Sequence, residues 1–188
     1  MLRYKVTEIT AQSEPVTVAE VRERLKLLPN NAAEEQYTLT PLIKAAREYC
    51  ESRTGYAFVP QRITAYPDQS DIATFFNLPR PPIVEVESVI LHGADGTDTE
   101  TEEYEVDDED GRMRLTGSID AASLRQVNPV SITYRAGAET CPEMARQAML
   151  LLIGHWYHNR ESVQSGAVTA VEIAQTTEAL LKQYRRWW

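Results

Sequence analysis

His155 and His158 stand three residues apart, with Glu161 three further on. On a helix His155 and His158 could share a metal ion, with Glu161 following at the next i+3 position. Metal catalysis would also need a third ligand and an open position. His92 is the only other histidine and lies far off in the sequence, and the segment reads neither H-E-x-x-H nor H-x-x-E-H. Ordinary hydrogen-bonded histidines are therefore expected, with no metal ligand and no cofactor. A second constellation is anionic. Asp95, Asp98, Glu100, Glu102, Glu103, Glu105, Asp107, Asp108, Glu109 and Asp110 fall within sixteen residues that contain no base. Several carboxylates suit Ca²⁺, but neither glycine gives an EF-hand register. With Gly111 as the loop glycine, Val106 and Gly117 occupy the first and last ligand positions; with Gly96, Leu91 takes the first. A solvated, mobile hairpin is the expectation.

Nucleophilic chemistry has no better footing, because no G-x-S-x-G elbow and no Walker loop is present. Glu48 and Glu51 have the spacing of an acid/base pair, yet the same spacing suits helical charge pairing with Lys44 or Arg47. Cys50 and Cys141 are far apart and form no C-x-x-C, as expected of two reduced thiols. No catalytic residue is assigned, and the protein reads as a non-enzyme.

The whole-chain charge of −9 argues at first against contact with nucleic acid or anionic membranes. Of the 28 acids, however, ten lie in residues 95–110, leaving 18 against 19 bases in the other 172 residues. The body is nearly neutral and the acidity is local. Small basic groups occur at Arg22, Arg24 and Lys26 and at Lys182, Arg185 and Arg186, and read mainly as solvated faces. Met1–Thr10 alternates apolar Leu2, Tyr4 and Val6 with charged residues and lacks the apolar stretch of a signal peptide. The longest apolar run, Ala148–Tyr157, is half a bilayer span. Cytosolic synthesis without a membrane segment is expected.

The elements that must position these residues follow from capping and periodicity. Thr17 and Glu20 form a capping box opening a helix over about Val18–Leu27, with Val18, Val21, Leu25 and Leu28 as its stripe. After a polar link, Thr40 as cap and Pro41 open a second helix to Arg53, stopped by Gly55, with Leu42, Ala45, Ala46, Tyr49 and Cys50 on its apolar face. From Tyr56 to Gly137 short β-type runs alternate with turn residues, giving strands near 57–66, 74–78, 83–92, 102–106, 112–116 and 130–135. Asp95-Gly96 and Asp110-Gly111 read as hairpin turns. Helical signals return at Thr140–Glu143 and reach His158; Ser162–Gly166 then links to a last helix carrying Leu180, Leu181, Tyr184 and Trp187 on one side. The fold class is α+β, a helical core of two N-terminal and two C-terminal helices with an inserted antiparallel β region. Its parts are 1–55, 56–137 with the acidic hairpin 95–110, and 138–188.

Several segments together resemble the head–tail connector (adaptor, head completion) proteins of tailed bacteriophages and prophages. They are Glu14–Val21, Leu42–Gly55, Leu78–Ile83 with Val86, Ser88 and Val89, Tyr134–Gly137 before Cys141-Pro142, and His155–Glu161. The resemblance implies a virion structural protein of the neck that assembles as a homo-oligomeric ring, typically of twelve copies, under the portal protein. Such a ring extends the DNA channel, lets packaged DNA pass without sequence-specific binding, and gives head-closure or tail-completion proteins a platform; family members can remain monomeric alone. Aromatic residues at this chain end suggest docking either on the chain's own core or on a partner, and candidate portal or inter-subunit contacts are Leu180, Leu181, Tyr184, Arg185, Arg186, Trp187 and Trp188. Deleting 176–188 is expected to abolish portal binding and leave a folded protein. Glu102, Glu103, Asp107 and Asp108 are the candidates for a lumen-facing or partner-facing acidic surface. Two other function classes remain at this point: a metal-dependent, packaging-associated enzyme, and an autonomous DNA-binding module.

Overall fold

The computed structural model describes residues 2–11, 14–28, 32–72, 74–159 and 175–185. They fall into two compact units: a β unit formed by the chain up to Ala11 and by Val59–Glu139, and a helical unit whose two segments end at Phe58 and begin at Thr140. Each has its own buried apolar cluster. The α+β class agrees with the sequence reading.

The β unit contains β1 (Arg3–Ile9), β2 (Gln61–Tyr66), β3 (Phe76–Asn77), β4 (Ile83–His92), β5 (Asp98–Glu100), β6 (Tyr104–Asp107), β7 (Arg112–Leu115) and β8 (Val130–Ala136). A five-stranded sheet runs in the order β1-β2-β8-β4-β5 and a three-stranded sheet in the order β3-β7-β6, with antiparallel pairing throughout. Alternation sets the faces. Ile63 and Ala65 of β2, Ile132 and Tyr134 of β8 and Val89 of β4 are buried together, whereas Arg62, Thr64, Thr133 and Arg135 look outward.

The first strand corrects the assignment of residues 1–55 to a helical part. The alternation of Tyr4 and Val6 with Arg3 and Lys5 is a strand signal, but its partner β2 lies more than fifty residues on, so nothing local declares the pairing. The expected strand at 57–66 begins only at Gln61, because Phe58 is buried in the helical unit's core and Pro60 has no N–H for a ladder.

Around the proline-rich crossover, Leu78 is buried, the Tyr134 hydroxyl donates to the Pro79 carbonyl at 2.7 Å, and Arg80 takes a left-handed φ of 59°. Arg80 donates to the Tyr4 hydroxyl at 3.3 Å and to Gln61 Oε1 at 3.1 Å, tying the crossover to β1 and β2. The Tyr134 phenol, buried in this apolar setting, is held protonated far above its ordinary range.

In the helical unit, α1 (Val18–Leu25) has the expected capping box. The Thr17 hydroxyl accepts from the Glu20 N–H at 3.2 Å and the Glu20 carboxylate accepts from the Thr17 N–H at 2.8 Å. The helix ends earlier than Leu27, at Lys26 in the left-handed conformation, and Leu28 is 84% exposed rather than part of the stripe. Hydrogen bonds from the Thr17 backbone and side chain hold the Glu20 carboxyl below its ordinary value, with Arg146 nearby. A depressed carboxylate stabilises the fold at pH above its unfolded value, and that contribution disappears as pH falls through the lower folded value. Acid titration of Glu20→Gln should therefore show less stability loss below pH 4 than wild type, and Thr17→Ala should cost about 1 kcal/mol in denaturant unfolding at pH 7.

The polar link expected before the second helix is itself helical. A short α2 (Ala32–Glu34) passes through a π-turn over Glu35–Leu39 into α3 (Thr40–Thr54), so Thr40 lies within continuous helical backbone and does not act as a cap. Pro41 sits in the first turn of α3, and Gly55 at φ 70° ends it as expected. The buried face is rotated from the expected one: Ile43, Ala46, Arg47, Cys50, Glu51 and Thr54 are inside, whereas Ala45 and Tyr49 are exposed. Apolarity misled here because two charged residues, Arg47 and Glu51, are buried as a pair. α4 (Glu143–His158) is central as expected, with Ala145, Ala148, Met149, Leu150, Leu152 and Ile153 buried. α5, residues 175–181, carries Leu181 into the same core and continues as a 3₁₀ turn, Lys182–Tyr184.

Candidate functional site

His155 and His158 border one pocket with Arg24, Leu25 and Asn159, and no third ligand joins them among the described residues. His155, at the end of α4, lies 3.1 Å through Nδ1 from the Asn159 side-chain amide, and the His158 ring packs edge-on against Tyr157. Glu161 lies outside the described residues. Among the described residues, no cluster of three or more His, Cys, Asp or Glu side chains could hold a metal.

His92 is in a more organised setting, one the sequence reading passed over. Its Nδ1 lies 2.6 Å from Asp98 of β5 and its Nε2 lies 2.9 Å from the Ser131 hydroxyl of β8. The distances match those of a Ser-His-Asp relay. The surroundings do not. Ser131 sits in mid-strand, paired to Ile90 in the ladder, and not on the strained turn that presents a nucleophile beside oxyanion donors. Asp98 is 63% exposed. The relay instead links three strands, fixing the short edge strand β5 to β4 and β8.

The acidic segment is not one hairpin, which corrects the sequence expectation. Asp95-Gly96 does turn β4 into β5, but the chain then leaves the five-stranded sheet and enters the other as β6, which pairs with β7 through the Asp110-Gly111 turn. Residues 95–110 therefore span two sheets, because Tyr104 and Val106 pack on the apolar cluster beneath them and pull the chain inward. Glu102 and Glu103 lie in the crossing and Asp107 and Asp108 at the far turn, so the four candidates do not form a single strip. Glu105 pairs with Arg114 at 2.8 Å. Solvent-facing carboxylates such as Glu100, Glu102 and Glu103 have no ion pair with a described residue.

The basic groups are partly consumed internally. Arg22 pairs with Glu35 and donates to the Leu28 carbonyl, fixing the end of α1 against the π-turn. At the C-terminal end, Leu181 is 2% exposed in the helical core, and the Tyr184 ring lies 5.7 Å from Tyr56 and 5.6 Å from Phe58. Both stabilise the protomer itself. The deletion of 176–188 would thus remove core residues, and the expectation that it leaves a folded protein is withdrawn; a cut after Arg185 is the informative one. Leu180 is half-buried on the same core and Arg185 lies 3.8 Å from Glu178. Arg186, Trp187 and Trp188 lie outside the described residues.

One side-chain network that the sequence reading treated as surface pairing is central. The Arg47 guanidinium, 2% exposed, donates through Nε to Glu14 at 2.7 Å and through Nη1 to Glu51 at 3.0 Å. Glu51 Oε1 accepts from the Phe58 N–H at 3.1 Å. Burial works against the Arg47 charge, but the Glu14 hydrogen bond and the neighbouring carboxylates more than offset it, leaving its pKa above the ordinary value. Beside it, burial pushes the thiols of Cys50 and Cys141 up to about 12, so both are protonated at neutral pH. Native protein at pH 8 should resist iodoacetamide over minutes while the urea-unfolded chain is alkylated at both positions, as read by mass spectrometry.

Among the described residues these arrangements link strands and helices within each unit. No helix among the described residues is long and apolar enough to cross a membrane. No curated protein matches the sequence. Solved structures do match. A chain in the neck of the empty gene transfer agent particle, computed with C6 symmetry, is 23% identical with a TM-score of 0.72, the match covering 100% of this chain and 96% of that one. For the neck of the native particle, computed with C12 symmetry, the values are 23%, 0.71, 100% and 96%. A chain in the virion of the native particle is 21% identical with a TM-score of 0.70, covering 98% of this chain and 96% of that one. These similarities establish the fold. The sequence itself matches the head completion protein family over residues 14–187, nearly its full length, and the chain belongs to that family.

Proposed function

We propose that the protein is a non-enzymatic structural component of the neck of a phage-like particle, forming a homo-oligomeric ring between the portal protein and the head-closure or tail-completion proteins. The ring extends the DNA channel, and packaged DNA passes without sequence-specific binding. The observation that carries this reading is end-to-end similarity of fold to a chain in the C12 neck structure, joined to membership of the head completion family. A ring needs two different contact faces per subunit and a rotation that closes. The two compact units offer distinct surfaces for such contacts.

The metalloenzyme reading has no converging ligand set among the described residues to favour it. An autonomous DNA-binding module would show duplex affinity falling steeply with salt in the isolated subunit. The neck reading is tested by genetic complementation: particles lacking this protein should fill with DNA yet fail to join tails, and a variant truncated after Arg185 should fold but bind the portal weakly. Normal tail joining without the protein would overturn the reading.

A further inference from the structure

Within the five-stranded sheet the strand order leaves β1 and β5 as opposite edges. The register shows that their charged residues share one face. Lys5 pairs with Thr64, Thr64 with Thr133, and Ser131, two residues before Thr133, with Ile90 and through it with Glu100. Lys5 and Arg3 thus mark one margin of the outer face, with Glu8 at its far end opposite Arg62, and Asp98 and Glu100 mark the other. Lys5 and Glu100 are exposed and neither has an ion pair with a described residue. Arg3 pairs with Asp68 at the surface, both more than half exposed. Four strand spacings separate the margins by about 19 Å, beyond the Debye length of about 8 Å at physiological salt. Within one copy Arg3 pairs with Asp68 and Asp98 with His92, but Lys5 and Glu100 cannot reach each other.

Edge strands are sites for pairing with another chain unless they are guarded, and lysine or extreme shortness are common guards. Here β1 is guarded by Lys5 and β5 by its three residues and its carboxylates, and the two guards have opposite charge. That combination discourages β1 from meeting β1 and β5 from meeting β5, and favours β1 meeting β5. We propose that the β1 edge of one copy docks on the β5 edge of a second copy, Lys5 and Arg3 facing Glu100 and Asp98, as a head-to-tail contact of the ring. The inference rests on the ring reading above and assigns a role to the first part of the acidic segment: facing the neighbouring subunit. A contact only about three residue pairs long is weak between two free copies. It gains once subunits are held side by side on a template, where the effective concentration reaches the millimolar range.

The test uses full-length protein assembled on its cognate portal. Lys5→Cys combined with Glu100→Cys or, one register away on the same face, with Asp98→Cys should give, after mild oxidation, a ladder of covalent dimers, trimers and higher oligomers on denaturing gels, whereas each single variant gives monomer. Cys50 and Cys141 remain protonated and serve as the internal control. Lys5→Glu should reduce ring occupancy about fivefold at low salt, and adding Glu100→Lys in the same chain should restore it. Rings visible by electron microscopy with no ladder from either cysteine pair, or undiminished in Lys5→Glu, would overturn the proposed contact and leave the ring reading intact. Failure of the wild-type protein to form any ring on the portal would overturn the ring reading itself.

Discussion

Arg47→Ala is expected to lower the unfolding free energy by about 3–5 kcal/mol, the largest effect of any single side-chain truncation considered. Removal leaves Glu51, fully buried, without its 3.0 Å partner and takes from Glu14 the 2.7 Å bond that anchors the start of the helical unit. The loss has little to do with the net value of an ion pair; it comes from stranding a charge away from water. The same reasoning predicts strong coupling. Glu14→Gln alone should cost less, because Glu14 is only partly buried, and the double variant should fall short of the sum by about 0.5–3 kcal/mol. Urea unfolding followed by far-UV circular dichroism measures all three. A loss under 1 kcal/mol for Arg47→Ala would mean that the network is open to water and does not organise the core.

Gly137→Ala is expected to have a comparable effect for a different reason. Gly137 has φ 114°, and a Cβ there would stand 2.0 Å from the Val59 carbonyl oxygen, a backbone atom that cannot move aside without shifting the start of the segment feeding β2. Both the conformation and the space forbid a side chain, and a cost of at least about 3 kcal/mol follows. Gly96→Ala is the control. Its φ of 87° also disfavours alanine, but no atom lies within 4 Å of the added carbon, so only the conformational cost of about 1 kcal/mol remains. Thermal unfolding of the two variants should separate them clearly, and equal shifts would show that the tight approach at Val59 carries no energetic weight.

Local chemistry in the sequence was readable where it acts locally. The Thr17 and Glu20 capping box, the Gly55 stop after α3 and the span of α4 depend on neighbours within a few residues, and the structure has them as expected. What escaped depends on distant partners. The strand at Arg3–Ile9 is specified only when β2 is present beside it. The buried face of α3 is turned because Glu14, far off in sequence, makes burial of Arg47 tolerable. The acidic segment divides between two sheets because Tyr104 and Val106 find a core that no local pattern announces. The same logic applies to the segments that carry the family resemblance. Glu14, Arg47, Glu51, the Leu78–Ile83 crossover, Tyr134 and Gly137 lie in those segments, and the structure gives each a part in holding its unit together.

A ring of this chain on the portal, as proposed, would be visible directly. The most direct measurement is to mix the purified protein with its cognate portal and image the mixture by electron microscopy. A ring coaxial with the portal, with one subunit density per portal subunit, is the predicted result; free monomers with no density added to the portal would contradict it.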